Sequence, residues 1–468
     1  MVKIPQIFII LLWISNLASL FQVFQISGYG VVLTDLLMGL MIITVFFQLV
    51  VEKRQFRILK GPLTNILYLS ILAALLSGIG LIFWGGSVQI FQFAKTFIHY
   101  IFFIIFTFLF VVAEVDDDAF YNAIKVVLIC AFFVNIFGIY QIFARLYDLP
   151  LAWIKITNVS FEQRGMKEVQ GETVQLSLRF GNFFRATSFF PEPSALAYYN
   201  LFNLLYIVVP FVRGSRPFIK NPVINIIVFI SVILGLLTPF SLGGLSGFIV
   251  FMFLLIFFEK LKVRKFIIPI ILLLITVGIF DYYFQKETQT SIVSLFNERV
   301  SGLLSTKPGI EPITGESTPG RLNSFKNAVD IFFTSPIVGI GLGNTYYHPL
   351  SNMRFADSSL FAIIAEMGLF GTIIFLGLVF YGTKISLFLR KPEIISNVHN
   401  NKLNTLQSIA VYSWILIIFN SFFLANIHIT ASLWMPLAII LATYKSVLKN
   451  LRQNNFDFDK YNFSDYNV

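Results

Sequence analysis

The chain has 468 residues, of which 57% are hydrophobic and only 12% are charged. This composition excludes a water-soluble enzyme, because too few polar side chains remain to cover an apolar core. The formal charge of +10 lies mainly in the connections between apolar runs, so we expect no nucleic-acid partner. The single cysteine, Cys130, excludes an internal disulfide and any Cys-rich metal or redox site.

Repeated apolar runs are long enough to cross a bilayer as helices. There are twelve, at residues 4–24, 31–51, 62–84, 94–113, 120–144, 194–212, 222–239, 243–259, 265–281, 358–389, 405–424 and 429–448. They predict an all-α, polytopic integral membrane protein with about 12 transmembrane helices. The first run is too long for a signal-peptide core and lacks a small-residue cleavage site, so we expect it to be retained.

Basic residues cluster in alternate connections, which predicts the orientation in the membrane. The clusters lie at residues 53–60, 213–220, 260–265, 390–402 and 445–452. We therefore expect both termini to be cytoplasmic. The connection at 114–118 is acidic on the same predicted side, which the rule tolerates because carboxylates contribute little to it.

This topology predicts the organisation of the chain. Helices one to five fall within 1–144, six to nine within 194–281 and ten to twelve within 358–449, and we expect a disordered cytoplasmic tail at 450–468. The connections at 145–193 and 282–357 become two large outer loops. We expect function there, because the polar residues concentrate in these loops and the chain lacks the internal repeat of many transporters.

The first outer loop ends with Arg185 and the segment Glu192-Pro193-Ser194. Pro193 fits the first position of helix six, whose positive dipole end would face outward. Arg185 beside the free N–H groups of that helix could bind a phosphate. Alternatively, Glu192 only complements the helix dipole and pairs with Arg185 at the surface.

The second outer loop contains an amphipathic helix that begins near Arg321. We expect it to lie flat on the membrane, with apolar residues at helical spacing. The predicted apolar stripe is Leu322, Phe325, Val329 and Phe332. Arg321 at the edge of this stripe could meet a membrane-bound phosphate, or it could extend to lipid head groups.

A glycine-spaced turn follows, with Gly339, Gly341 and Gly343. No strand precedes it, so it is more typical of a tight backbone bend against a helix or ligand than of a nucleotide loop. His348, Arg354 and Asp357 come next, near the predicted outer interface.

Two carboxylates flank the start of helix ten. Asp357 is placed to cap the helix, and it could also accept a proton from a sugar hydroxyl. Glu366 lies deeper and needs a polar partner within the membrane. Lys95 and His99, one turn apart in helix four, are the candidates for that partner.

Several of these segments together resemble a known family. They are Gly320-Arg321, Pro336-Ile-Val-Gly339-Ile-Gly341, Asp357-Ser-Ser and Ala365-Glu366-Met-Gly368-Leu-Phe-Gly371. The pattern resembles the C-terminal signature of the O-antigen polymerase and O-antigen ligase superfamily. Arg185 followed by Glu192-Pro193-Ser194 is similar to the arginine-then-EPS segment of the polymerase branch, and Gly138-Ile-Tyr-Gln141 also resembles the family. Ligases typically carry a His-Asn pair where this chain has Asp357-Ser358, which favours the polymerase branch.

The resemblance implies a glycan donor carried on undecaprenyl diphosphate, at the outer face of a bacterial cytoplasmic membrane. A hydroxyl of a second lipid-linked repeat would attack the anomeric carbon, without a metal or other cofactor. Arg185 and Arg321 would bind the diphosphate, and Asp357 or Glu192 would orient or deprotonate the acceptor. Arg354, His348 and Lys95 complete the expected substrate-binding set, and a chain-length regulator is a further expected partner besides membrane lipid.

Two alternatives stay open. A ligase would join a finished glycan to a lipid or protein acceptor. A transporter or flippase would move lipid-linked sugars across the membrane without forming a glycosidic bond, and it predicts charges along the centre of the helix bundle.

Overall fold

A computed structural model gives the fold. It describes residues 2–26, 28–55, 61–159, 167–169, 172–177, 179–180, 183–259, 264–291, 293–294, 318–351, 358–398, 400–422, 427–454 and 456. Eight helices of the described part are long and apolar enough to cross a membrane. The chain is an all-α, polytopic membrane protein, as its composition predicts.

The helices are numbered here in chain order. They are α1 (Gln6–Ser15), α2 (Leu33–Val50), α3 (Pro62–Ser77), α4 (Leu81–Trp84), α5 (Ser87–Val112), α6 (Asp117–Leu146), α7 (Pro193–Arg213), α8 (Pro222–Leu237), α9 (Leu242–Glu259), α10 (Arg264–Thr288), α11 (Thr318–Thr334), α12 (Ser359–Leu389), α13 (Pro392–Asn397), α14 (Asn401–Asn420) and α15 (Ala431–Gln453).

The described strands form three antiparallel hairpins. They pair β1 (Gln22–Ile26) with β2 (Tyr29–Val32), β3 (Lys167–Val169) with β4 (Glu172–Val174), and β5 (Arg179–Phe180) with β6 (Phe183–Phe184).

Each of the twelve apolar runs contains a helix, but the first helix is shorter than predicted. α1 ends at Ser15, a 3-10 turn continues to Ala18, and the chain then enters the β1–β2 hairpin. A ten-residue helix is about 15 Å long, roughly half the hydrocarbon thickness of a bilayer. The predicted span over 4–24 was therefore wrong, because the apolar residues of β1 extend the run without being helical.

The chain divides into two compact units. Unit 1 contains residues 1–9, 38–120 and 319–468, and unit 2 contains residues 10–37 and 121–318. In unit 1, α12 packs against α3 and α14, and α15 packs against α5 and α14. In unit 2, α7 packs against both α8 and α9.

In unit 1, lysine side chains contact the acidic connection at 114–118. The Lys402 Nζ lies 2.5 Å from the Asp118 Oδ1, and the Lys449 Nζ lies 3.5 Å from the Glu114 Oε1. The Lys445 Nζ donates to the carbonyl of Ala113 at 2.8 Å. Lysines from two other basic segments thus balance these carboxylates. The side of the membrane on which this connection lies stays a prediction.

The amphipathic helix α11 packs one of its faces against α12 and the glycine-spaced turn. Its buried residues include Ala328 and Ile331, which pack with Ile340, Ala362 and Ala365. Leu322, predicted to belong to the apolar stripe, is 59% exposed. Exposure of Leu322 agrees with a stripe that faces lipid, and the membrane contact of this stripe stays a prediction. Phe325 of the predicted stripe also contacts α12, since its ring stacks on that of Phe361 with centroids 4.6 Å apart.

Candidate functional site

Arg185 lies in a buried segment between β6 and α7, in unit 2. It is 5% exposed, and Thr187 and Ser188 are fully buried. The Arg185 carbonyl accepts hydrogen bonds from the Arg145 Nη1 at 2.5 Å and from the Ser177 Oγ at 2.8 Å. The segment is therefore held by side chains of the protein, unlike an exposed surface loop.

The start of α7 agrees with the sequence pattern. Glu192 occupies the N-cap position with extended backbone (φ −146°), and Pro193 is the first helical residue. The Glu192 side chain makes no cap hydrogen bond, and its Oε1 accepts from the Ser194 Oγ at 2.5 Å. The described contacts include no ion pair between Arg185 and Glu192. Among the described residues, the structure therefore does not form the Arg185–Glu192 surface pair that the sequence left open as an alternative.

In unit 1, the glycine turn fits into a break in α12. Gly368 has non-helical backbone angles (φ 60°, ψ −162°). The Leu369 N–H donates to the Pro336 carbonyl at 2.8 Å, and the Gly341 N–H donates to the Glu366 carbonyl at 3.0 Å. The turn therefore pairs with backbone groups beside the break that would otherwise lack partners in a water-poor environment.

Glycine is required at the centre of this contact. Gly339 and Gly368 both have positive φ, at 81° and 60°. A Cβ on Gly339 would overlap the carbonyl of Glu366, and a Cβ on Gly368 would lie 2.6 Å from the carbonyl oxygen of Ile337. These close approaches give a physical reason for the glycine spacing of both segments.

Glu366 is buried beside the glycine turn. It is 2% exposed, and its Oε1 accepts hydrogen bonds from the Thr345 Oγ1 at 2.7 Å and the Thr345 N–H at 3.3 Å. Its Oε2 lies 3.5 Å from the Nε2 of His428, which is 1% exposed. The described partners of Glu366 are thus Thr345 and His428, and the predicted partners Lys95 and His99 were wrong.

His348 follows Thr345 closely in the chain, and Lys95 lies on α5, which contacts the glycine turn through Gln92. The His348 ring packs edge-on against Trp84 with centroids 4.8 Å apart, and its Nδ1 accepts from the Leu350 N–H at 3.3 Å. Burial lowers the pKa of His348, so the imidazole is neutral at pH 7. Lys95 is half-buried in α5, three residues after Gln92, whose Nε2 donates to the Gly343 carbonyl at 3.3 Å.

The other predicted residues are only partly described. Arg354 and Asp357 lie outside the described residues. Arg321 lies in the first turn of α11, and its side chain is likewise outside the description. The N-cap position of α12 is Ser358, one residue later than predicted for Asp357.

The described residues contain no group of three His, Cys, Asp or Glu side chains that could hold a metal ion. The arrangement instead provides a buried arginine before a helix start in unit 2. In unit 1 it provides a carboxylate and an imidazole beside a rigid glycine turn.

Residues 226–376 match the family described as O-antigen ligase. The match spans about a third of the chain and places residues 226–376 in the O-antigen ligase and polymerase superfamily. The matched stretch covers most of α8, all of α9 to α11 and the first part of α12, including the glycine turn and Glu366. No curated protein matches the chain.

This match agrees with the multi-pass helical fold. It supports a membrane enzyme of the glycosyltransferase type that acts on lipid-linked oligosaccharides. Arg185 and the Glu192-Pro193-Ser194 segment lie before the matched stretch, so the match does not test their role.

Sequence reasoning missed two residues of these clusters. His428 lies in a short 3-10 turn between α14 and α15, far from Glu366 along the chain. Arg145 lies just past the predicted end of helix five, where a basic residue is ordinary. The only sequence signal for Arg145 was its place four residues after Gln141, in a segment that resembles the superfamily.

Proposed function

We propose that this chain is a polysaccharide polymerase of the superfamily. It transfers a glycan from undecaprenyl diphosphate to a hydroxyl of another lipid-linked repeat, at the outer face of a bacterial cytoplasmic membrane. The observation that supports this most is the burial of Arg185 in the short segment that leads to the Glu192-Pro193-Ser194 helix start. The product is a cell-envelope or secreted polysaccharide such as O-antigen, capsule or exopolysaccharide.

The reaction needs stabilisation of a leaving group more than it needs a proton donor. The acceptor oxygen forms a bond to the anomeric carbon, and the bond from that carbon to the diphosphate oxygen breaks. The electron pair of the broken bond leaves with the diphosphate. In this proposal Arg185 and Arg321 bind its oxygens, because a planar guanidinium can form paired, charge-assisted hydrogen bonds to phosphate.

The proton of the acceptor hydroxyl passes to a carboxylate, Asp357 or Glu192. Glu192 is half-buried at the N-cap of α7, where Ser194 orients its Oε1. Arg354, His348 and Lys95 contact the glycan or its carrier in this proposal. Neutral His348 can donate from Nε2, because its Nδ1 already accepts from the Leu350 N–H. A chain-length regulator would act from outside this chain.

A ligase is the second candidate, because the matched family is described as O-antigen ligase. Such an enzyme would use the same donor and a different acceptor. The Asp357-Ser358 segment, in the place of the His-Asn pair typical of ligases, favours the polymerase.

The product of a purified reaction separates the candidates. The protein in detergent is supplied with a lipid-linked single repeat, and the products are resolved by size. A polymerase produces a ladder of longer lipid-linked chains, and an Arg185→Gln variant produces none above background. A ligase leaves the single repeat unchanged until its lipid or protein acceptor is added. A transporter forms no glycosidic bond under either condition.

A further inference from the structure

Arg145 is a buried cation at the end of α6. It is 5% exposed and donates four hydrogen bonds. The acceptors are the carbonyls of Ala152 (2.8 Å) and Arg185 (2.5 Å), the Gln175 Oε1 (3.1 Å) and the Thr187 Oγ1 (2.6 Å). Four of its five N–H groups are thus used within unit 2, which leaves little capacity to bind a substrate.

The surroundings of Arg145 are neutral. The guanidinium carbon lies 4.2 Å from the centroid of the Trp153 ring. Among the described residues, no group in contact with Arg145 is a carboxylate. A buried charge without a counter-ion is costly, so its retention in an oriented set of neutral acceptors indicates a specific task.

Gln175 links Arg145 to the segment that follows Arg185. Gln175 is fully buried, and its Oε1 also accepts from the Gln141 Nε2 at 3.1 Å. Its Nε2 donates to the carbonyls of Ser188 at 2.5 Å and Phe190 at 2.7 Å. Arg145 and Gln175 together therefore bind three backbone carbonyls between residues 185 and 190.

This segment needs such support. Ser188 has a positive φ of 50°, a conformation that L-residues rarely adopt and that the surrounding contacts must stabilise. The Ser188 Oγ donates to the Val134 carbonyl at 2.6 Å, which ties the segment to α6 a second time. The position of the Arg185 guanidinium depends on this backbone, and so does the path of the chain into Glu192.

We propose that Arg145 is a positioning residue for Arg185. Its planar guanidinium binds four acceptors at once and thereby fixes the 185–190 backbone. The Arg185 guanidinium and the Glu192 helix start are held in place as a result. A lysine carries the same charge on a single compact group and cannot bind all of these acceptors together. This proposal rests on the polymerase function proposed above only where it assigns the diphosphate to Arg185.

Arg145→Lys tests the proposal against Asn135→Ala as a matched control. Asn135 is also buried in α6, and the described hydrogen bond of its side chain, from Nδ2 to the Asn200 Oδ1 at 2.8 Å, does not involve the 185–190 segment. We expect Arg145→Lys to raise the KM for the lipid-linked donor by about 10- to 100-fold. Asn135→Ala should lower thermal stability and leave the KM unchanged, because a general loss of folded enzyme lowers only the apparent kcat.

Hydrogen exchange of the detergent-solubilised full chain gives a second readout that needs no activity. The Ala186 N–H donates to the Thr238 carbonyl and the Phe190 N–H to the Thr187 carbonyl, so both amides should exchange slowly. We expect Arg145→Lys to speed their exchange at least about tenfold, while Asn135→Ala does not.

The two proposals can fail separately. A wild-type protein that never elongates lipid-linked repeats would refute the polymerase function, and hydrogen exchange would still decide whether Arg145 holds the segment. Wild-type KM or wild-type exchange at residues 185–190 in Arg145→Lys would overturn the positioning role. An equal rise of KM in Asn135→Ala would overturn it too, because the effect would then not be specific to Arg145.

Discussion

The Glu366 Oε2 lies 3.5 Å from the His428 Nε2 inside unit 1, and neither side chain is more than 3% exposed. The carboxylate comes from α12, beside the helix break, and the imidazole comes from the turn between α14 and α15. Thr345 binds the other carboxylate oxygen, which connects the pair to the end of the glycine turn. Groups far apart in the sequence therefore meet at the segment that carries the superfamily signature.

His428→Leu should destabilise unit 1 by about 1–3 kcal/mol, because it removes the polar group nearest to the buried Glu366 Oε2. The measurement is the free energy of unfolding in mixed detergent micelles. Adding Glu366→Gln replaces the buried carboxyl group with an amide, so the double variant should be less destabilised than the sum of the two single variants. Strict additivity would show that the two side chains do not interact.

Gly368→Ala should destabilise the protein by about 2–5 kcal/mol, because φ is positive and the new Cβ would meet the backbone of the glycine turn. Gly39→Ala in α2 is the matched control, since a Cβ there has no heavy atom within 4 Å. We expect the control to stay within about 1 kcal/mol of wild type. Equal stability of the two variants would mean that the turn does not enter the break in α12.

His348 should make stability depend on pH. Burial lowers the pKa of the folded imidazole below its ordinary value of 6.5, so the unfolded chain binds the proton more readily. The contribution of neutral His348 is present above about pH 6.5 and is lost as the pH falls through the lowered pKa. His348→Gln should therefore show a smaller drop in melting temperature between about pH 7.5 and about pH 5.5 than wild type. The same drop in both proteins would exclude His348 as its source.

The orientation can be tested across α6, which is long enough to span a bilayer at about 45 Å. Single cysteines replace exposed Leu151 after the helix and exposed Asp116 before it, in a Cys130→Ser background. The predicted topology requires an impermeant maleimide to label Leu151→Cys in intact cells. Asp116→Cys should react only after permeabilisation. The reverse pattern would place the Arg185 segment on the cytoplasmic side and refute the proposed site.

Composition and periodicity predicted a helix in each of the twelve apolar runs, because an α-helix is the simplest structure that satisfies the backbone polar groups of about 20 apolar residues in a membrane. The end of α1 was missed because Val23, Phe24 and Ile26 continue the apolar run although they form a strand. Such residues satisfy the same hydropathy rule in either conformation.

The candidate site was predictable only where its parts are contiguous in sequence. Pro193 as the first residue of α7 and the tight bend at Gly339 follow from local backbone chemistry. The contact of Glu366 with His428 depends on how α12, α14 and α15 pack, which no local pattern specifies. The burial of Arg145 depends in the same way on the path of the 145–193 loop.

The most direct test of the central claim is the elongation rate of purified Arg185→Lys and Arg321→Lys on a lipid-linked repeat. Lysine keeps the charge and loses the planar fork, so each rate should fall about 100-fold or more. Arg213→Lys, at a position that pairs with Glu259, serves as the control and should elongate at the wild-type rate. Polymer formed at the wild-type rate by Arg185→Lys and Arg321→Lys would contradict the account.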